Sequence, residues 1–185
     1  MNNLGELPDD LPVPVDDGAA DHLSGLSLPE LTLNATDGTQ VQLRELQGWF
    51  VIYVYPMTGR PDTPLPDNWD SIPGARGCTP QSCGFRDHHA ELVALSAGVY
   101  GLSSQSTAYQ AEAKQRLHLP FELLSDEGLL LKQHLKLPTF VTDEMELYRR
   151  ITLIVKDGNI QQVFYPVFPP SENAADVVAW LRAIA

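Results

Sequence analysis

The chain has 185 residues, 43% of them apolar and 19% charged, with 24 acidic side chains against 12 basic ones. That is roughly the length of one domain, with enough core to fold without disulfide staples or a structural metal. The formal net charge of −12 repels nucleic acid phosphates and anionic membrane surfaces, which excludes both as partners.

The opening, MNNLGELPDDLPVPVDDGAADHLSG, has neither a basic start nor an unbroken apolar stretch, so it is not read as a secretory signal. No run of 18 apolar residues follows, and the protein is expected to be cytoplasmic. Glu6, Asp9, Asp10, Asp16, Asp17 and Asp21 precede the first basic residue, Arg44, with prolines at 8, 12 and 14. Residues 1–24 are therefore expected to form a mobile or loosely docked acidic segment, and residues 25–185 the globular domain.

From Leu28 the pattern alternates. Leu31, Leu33, Val41 and Leu43 flank Asp37-Gly38, which predicts a hairpin. Trp49–Tyr55, WFVIYVY, is apolar and β-branched enough for a central strand buried on both faces, and it stops at Pro56. Residues 57–77 hold four prolines and three glycines without periodicity, which predicts a long loop. Phe85, His89, Leu92 and Leu95 then share a helical face, giving one helix over about 79–96 with Pro80 in its first turn. A short strand at 99–102, helices over 107–117 and 127–135, strands at 150–155 and 160–165 around Asp157-Gly158, and a last helix capped by Ser171 complete the chain. Strands alternating with helices predict an α/β fold with a central mixed sheet flanked by helices and an N-terminal β-hairpin.

Sites in such sheets lie beyond the carboxyl ends of the strands, where the loop after Tyr55 leads into the helix that starts near Cys78. Unpaired first-turn amides and the positive end of the helix dipole favour a thiolate over a thiol there. Arg76 and Arg86 add charge nearby, and the flanking ARGCTPQ is polar rather than core-like, so Cys78 reads as a nucleophile. Cys83 is the only other cysteine. Five residues along an intact helix place the two about 140° apart around the axis and about 7.5 Å along it. A disulfide needs Cα atoms within about 7 Å, so pairing requires the first turns to unwind. This suits a thiol oxidised first and bridged afterwards. The spacing is not C-x-x-C, and with His88 and His89 on different helix faces it makes no zinc tetrahedron.

The segment Gly77–Asp87, GCTPQSCGFRD, resembles the active-site helix of Q-type peroxiredoxins, the bacterioferritin comigratory protein type. The likeness extends through LPELTLNATDGTQVQL, VIYVYP, VYGLSSQS, LPFELLSDEG, RITLIVKDG and the terminal helix. It implies a thioredoxin-like fold and a thiol-dependent peroxidase for hydrogen peroxide and small alkyl hydroperoxides, and a monomer or weak homodimer is expected. Cys78 would attack the peroxide and Cys83 would resolve the sulfenic acid. Arg150 would stabilise developing charge, with Arg149 the alternative, since neighbours on a strand point to opposite faces. A thioredoxin or glutaredoxin-like partner would restore the thiols, and no flavin, haem or metal cofactor is called for. The chain departs from the resembled P-x-x-x-T-x-x-C signature: Cys78 lies 22 residues beyond Pro56 instead of seven. The hydroxyl expected to hold the peroxide is then Thr58, with Thr63 as the alternative, while Thr79 reads as a first-turn helix residue. A redox sensor or thiol-binding module on the same fold is the rival reading.

Overall fold

A computed structural model describes residues 4–185. The strands are β1 (Thr32–Ala35), β2 (Gln40–Gln42), β3 (Trp49–Val54), β4 (Ala97–Ser103), β5 (Glu122–Ser125), β6 (Thr139–Thr142), β7 (Met145–Tyr148), β8 (Ile151–Lys156) and β9 (Asn159–Phe164). The helices are α1 (Cys78–Asp87), α2 (His89–Ala94), α3 (Thr107–Leu117), α4 (Leu130–Leu135) and α5 (Asn173–Ile184). Seven strands form one mixed sheet in the order β2-β1-β5-β4-β3-β8-β9, and β6 and β7 form a separate hairpin.

β3 is the central strand, and its run of apolar residues reflects burial on both faces. Ile52 and Val54 point into a core with Leu33, Leu124 and Ile151. Val51, Tyr53 and Tyr55 point into the other, under α1 and α5, with Phe85, Leu92 and Val177. β3 runs parallel to β4 and antiparallel to β8, with Val54 opposite Ile151. That register brings Arg150, one residue before β8, level with Tyr55, one residue past the end of β3.

Both Gly-containing turns predicted as hairpins are present, joining β1 to β2 and β8 to β9. Asp157 and Gly158 both sit at positive φ, 49° and 71°, as a two-residue hairpin turn needs. The single helix expected over 79–96 is two helices, α1 and α2, broken at His88 (φ −91°, ψ 4°). Its Nδ1 lies 2.7 Å from Glu91 Oε1. The last helix starts at Asn173 after a short 3-10 turn, Pro170–Glu172, so Ser171 is not its cap.

The long loop is folded rather than loose. Trp69 is buried within it and packs with Ala75 and Leu147, while Met57, Leu65 and Phe140 close the same small cluster. Among residues 1–24, expected to be mobile or loosely docked, the first three lie outside the described residues, and the rest run against the domain. Ala20 and Leu23 are buried in the main core, because an acidic stretch still carries the apolar side chains needed to dock it. His22 Nε2 is 2.7 Å from the Leu135 carbonyl oxygen, and Tyr165 donates to Asp17 at 2.9 Å.

Candidate active site

Cys78 is the first residue of α1, 4% exposed, and follows Gly77 at φ 108°. Only glycine suits that position twice over: the backbone is left-handed, and a Cβ would stand 2.6 Å from Pro170 Cγ. The first-turn amides of Cys78 and Thr79 have no intrahelical acceptor by helix geometry, and Pro80 has no N–H to satisfy. α1 is held on β3 by Phe85, whose ring stacks on Tyr53 with centroids 4.5 Å apart, and by Tyr53 donating to Ser82 Oγ at 3.1 Å.

Arg150 is 3% exposed, and its guanidinium meets the sulfur: Nη2 lies 3.3 Å from Cys78 Sγ. The same nitrogen shares its protons with the carbonyls of Gly74 (3.2 Å), Ala75 (3.0 Å) and Arg76 (3.1 Å). Nη1 donates to the buried Gln81 carboxamide, which donates in turn to Asn173 at 2.9 Å. Nε–H is buried with no hydrogen-bond partner among the described residues. Nε and Nη2 share one edge of the planar guanidinium, so this spare donor lies on the edge that meets the sulfur. A fixed cation with an unused donor beside a sulfur is equipped to stabilise charge that develops there.

Of the residues expected at the site, the structure brings Arg150 to Cys78. Arg149 is instead half-buried, its amide donating to the Pro138 carbonyl at 2.9 Å. Thr58 is buried, but its hydroxyl donates to Gln105 Oε1 at 3.2 Å, in a cluster that also ties its amide to Gln105 at 2.9 Å. Its neighbours Met57 and Gly59 line the cavity over Cys78, whereas Thr58 does not. Alternation along an extended chain turns the middle residue away. Thr63 is exposed beside Asp62. The threonine that does line the cavity is Thr79, which the sequence offered only as a helix residue. Its position directly after Cys78, in a first turn without an acidic residue, was the available signal.

Cys83 lies one and a half turns further along α1, half-buried against Phe85 and its neighbours, and both cysteines are free thiols. Burial pushes the Cys83 thiol above its ordinary value, with the nearby Arg86 guanidinium pulling the other way. Among the described residues, no three His, Cys, Asp or Glu side chains come together as a metal ion would need.

A sheet of this order with a thiol at the first turn of the α-helix that follows its central strand defines a thioredoxin-like protein. Residues 23–179 match the redoxin family, and the chain belongs to it. The likeness to Q-type peroxiredoxins is borne out by its relatives. A protein of Oryza sativa subsp. indica named as a putative chloroplastic peroxiredoxin Q is 29% identical over 161 residues, 86% of this chain and 67% of the rice protein. Peroxiredoxin bcp1 of Schizosaccharomyces pombe is 34% identical over 109 residues, 57% of this chain and 48% of its own length. Peroxidoxin BcpB of Mycobacterium tuberculosis shares the fold with a TM-score of 0.72 at 23% identity, covering 89% of this chain and 99% of that one. A peroxiredoxin Q from Xanthomonas campestris does so with a TM-score of 0.64 at 27% identity, covering 86% and 97%.

Proposed function

We propose that the protein is a two-cysteine thiol peroxidase that reduces hydrogen peroxide and small alkyl hydroperoxides. The observation that carries this is the Arg150 guanidinium 3.3 Å from Cys78 Sγ at a helix start. The Cys78 thiolate attacks one oxygen of the O–O bond; an S–O bond forms, the O–O bond breaks, and the departing alkoxide or hydroxide takes a proton to leave as alcohol or water. Sulfur is oxidised to the sulfenic acid and the peroxide is reduced. Arg150 holds the charge shifting onto the oxygens, since its donors are in place before reaction. The first turns of α1 then unwind, and the Cys83 sulfur displaces the sulfenic hydroxyl as water, closing the disulfide. A dithiol reductant of the thioredoxin or glutaredoxin kind restores both thiols by exchange.

The test is mass spectrometry after one equivalent of hydrogen peroxide, together with turnover supported by a thioredoxin system. A Cys78–Cys83 link and repeated turnover are expected, with Cys78→Ser reducing turnover to background. Cys83→Ser should leave a sulfenic acid on Cys78 that a dimedone probe captures. Turnover that survives Cys78→Ser would overturn the assignment, and a single oxidation that no thiol reductant recycles would point to a sensor instead.

A further inference from the structure

The cavity over Cys78 is closed on one side by residues from the far N-terminus. Leu4 lines it together with Met57, Leu65 and Thr79. A Cβ on Gly59 would stand 3.0 Å from Leu4 Cδ2, and one on Gly77 would stand 3.0 Å from Leu7 Cδ2. Pro14 reaches the Cys78 loop further along, 3.6 Å from a Cβ on Gly74, and borders a second cavity with Arg149 and Arg150. Leu4, Leu7, Leu11 and Pro14 are half-buried, while Glu6, Asp9 and Asp10 are exposed, so these four side chains turn to the domain and the acids to water, with Val13, 62% exposed, also facing water. Its far end is fixed by Asp17, Ala20, His22 and Leu23 as described above. Its near end sets Leu4 and Leu7 against the domain, and the segment lies outside the residues that match the family.

We propose that residues 4–14 form a strap over Cys78 and that Leu4 and Leu7 determine which hydroperoxides reach the sulfur. With the strap down, the cavity has a volume of about 10 Å³, room for about one water molecule. Hydrogen peroxide is little larger and fits with small adjustments, whereas a hydroperoxide with a bulky organic group requires the strap to lift. Leu4 and Leu7 are only half-buried, so lifting them from the cavity leaves the two main cores of the domain intact. The exposed acids along it also disfavour hydroperoxides that carry negative charge.

This rests on the peroxidase reading, and the experiment separates the two. In the full chain, kcat/KM is measured for hydrogen peroxide and for cumene hydroperoxide with Leu4→Ala, Leu7→Ala and the double variant. The ratio of cumene hydroperoxide to hydrogen peroxide should rise roughly tenfold in the double variant, since two half-buried leucines lose most of their packing. Leu4→Met and Leu7→Met keep the apolar volume and should keep the original ratio. A readout independent of turnover is alkylation of Cys78 in the Cys83→Ser background. The rate with a bulky maleimide relative to iodoacetamide should rise with the same alanine variants. Absence of turnover with every peroxide in the unaltered chain, with the alkylation ratio still rising, would sink the peroxidase reading and leave the strap. An unchanged ratio in both assays, or an equal change for small and large reagents, would overturn the strap.

Discussion

A hydroxyl beside the reacting sulfur serves the reaction only if no other partner occupies it, and that criterion separates the two buried threonines nearest the site. Thr58 gives its proton to Gln105, whose carboxamide returns a bond to the Thr58 carbonyl at 3.2 Å, closing a local clasp. Thr79 shares the cavity wall with Cys78. Replacing each by valine keeps the shape and removes only the hydroxyl. Thr79→Val should lower kcat/KM about a hundredfold to a thousandfold, the range for loss of one donor to developing charge. Thr58→Val should leave kcat/KM nearly unchanged and cost about 0.5–1.5 kcal/mol of stability, because Gln105 Oε1 still accepts from the Thr58 amide. Denaturant titration beside steady-state kinetics distinguishes the two, and the opposite pattern would return the role to Thr58.

At the scale of the element, α1 holds both thiols and must open for them to meet, so the state of Cys83 in the closed helix matters. Burial raises its titration above the ordinary cysteine value, with the Arg86 charge offsetting part of the effect. A raised value means that the closed helix favours the neutral thiol. This preference is fully present below the value of the unfolded chain and is lost as pH rises through the folded value, so alkaline pH favours opening. In a Cys78→Ser protein, alkylation of Cys83 should rise with a midpoint above the unfolded value near about 8.5, and urea should bring it back down. Coincident midpoints would mean that burial does not control this thiol. The elements themselves were legible in the sequence where side-chain periodicity alone decides them. β3, α3 and the two Gly turns are such cases. The His88 break was hidden because the helical phase carries through it: the His88 amide still bonds the Gly84 carbonyl and the Leu92 amide the His88 carbonyl. The β6–β7 hairpin was missed because its turn places Asp143 and Glu144 at positive φ without the Gly or Asn that announces one. β5 was passed over because a run as short as ELLS is identified as a strand only by its partners β4 and β1. α4 begins at Leu130 rather than 127 because the Asp126 carboxylate accepts from the Leu130 and Leu131 amides, at 2.8 and 2.9 Å. Arg150 was legible by resemblance, and its contact with the sulfur depends on the β3–β8 register, which no local pattern encodes.

For the whole molecule, the question is where the cooperative domain begins, and composition alone does not locate it. Composition reads residues 1–24 as a mobile or loosely docked segment; within it, Leu23 has no exposed surface and packs in the same core as Leu28, Leu43 and Leu135. The Gly25 amide donates to the Ile160 carbonyl at 2.9 Å, fastening this stretch to β9, at the sheet edge opposite β2. A buried leucine truncated to alanine costs about 2–5 kcal/mol, through lost burial and the cavity left behind. At this chain length each kcal/mol lowers the midpoint by about 2–4 °C, so Leu23→Ala should lower Tm by on the order of 5–15 °C. Val15, in the same acidic stretch but 81% exposed, is the control, and Val15→Ala should change stability by about 0.5 kcal/mol or less. Calorimetry decides the matter with a single transition. If Leu23→Ala unfolds like Val15→Ala, the segment is an attached tail and the domain starts where the composition changes. If it falls by the expected amount in one cooperative step, the anchor of the strap is part of the folding unit, and motion near Cys78 is confined to the residues before it.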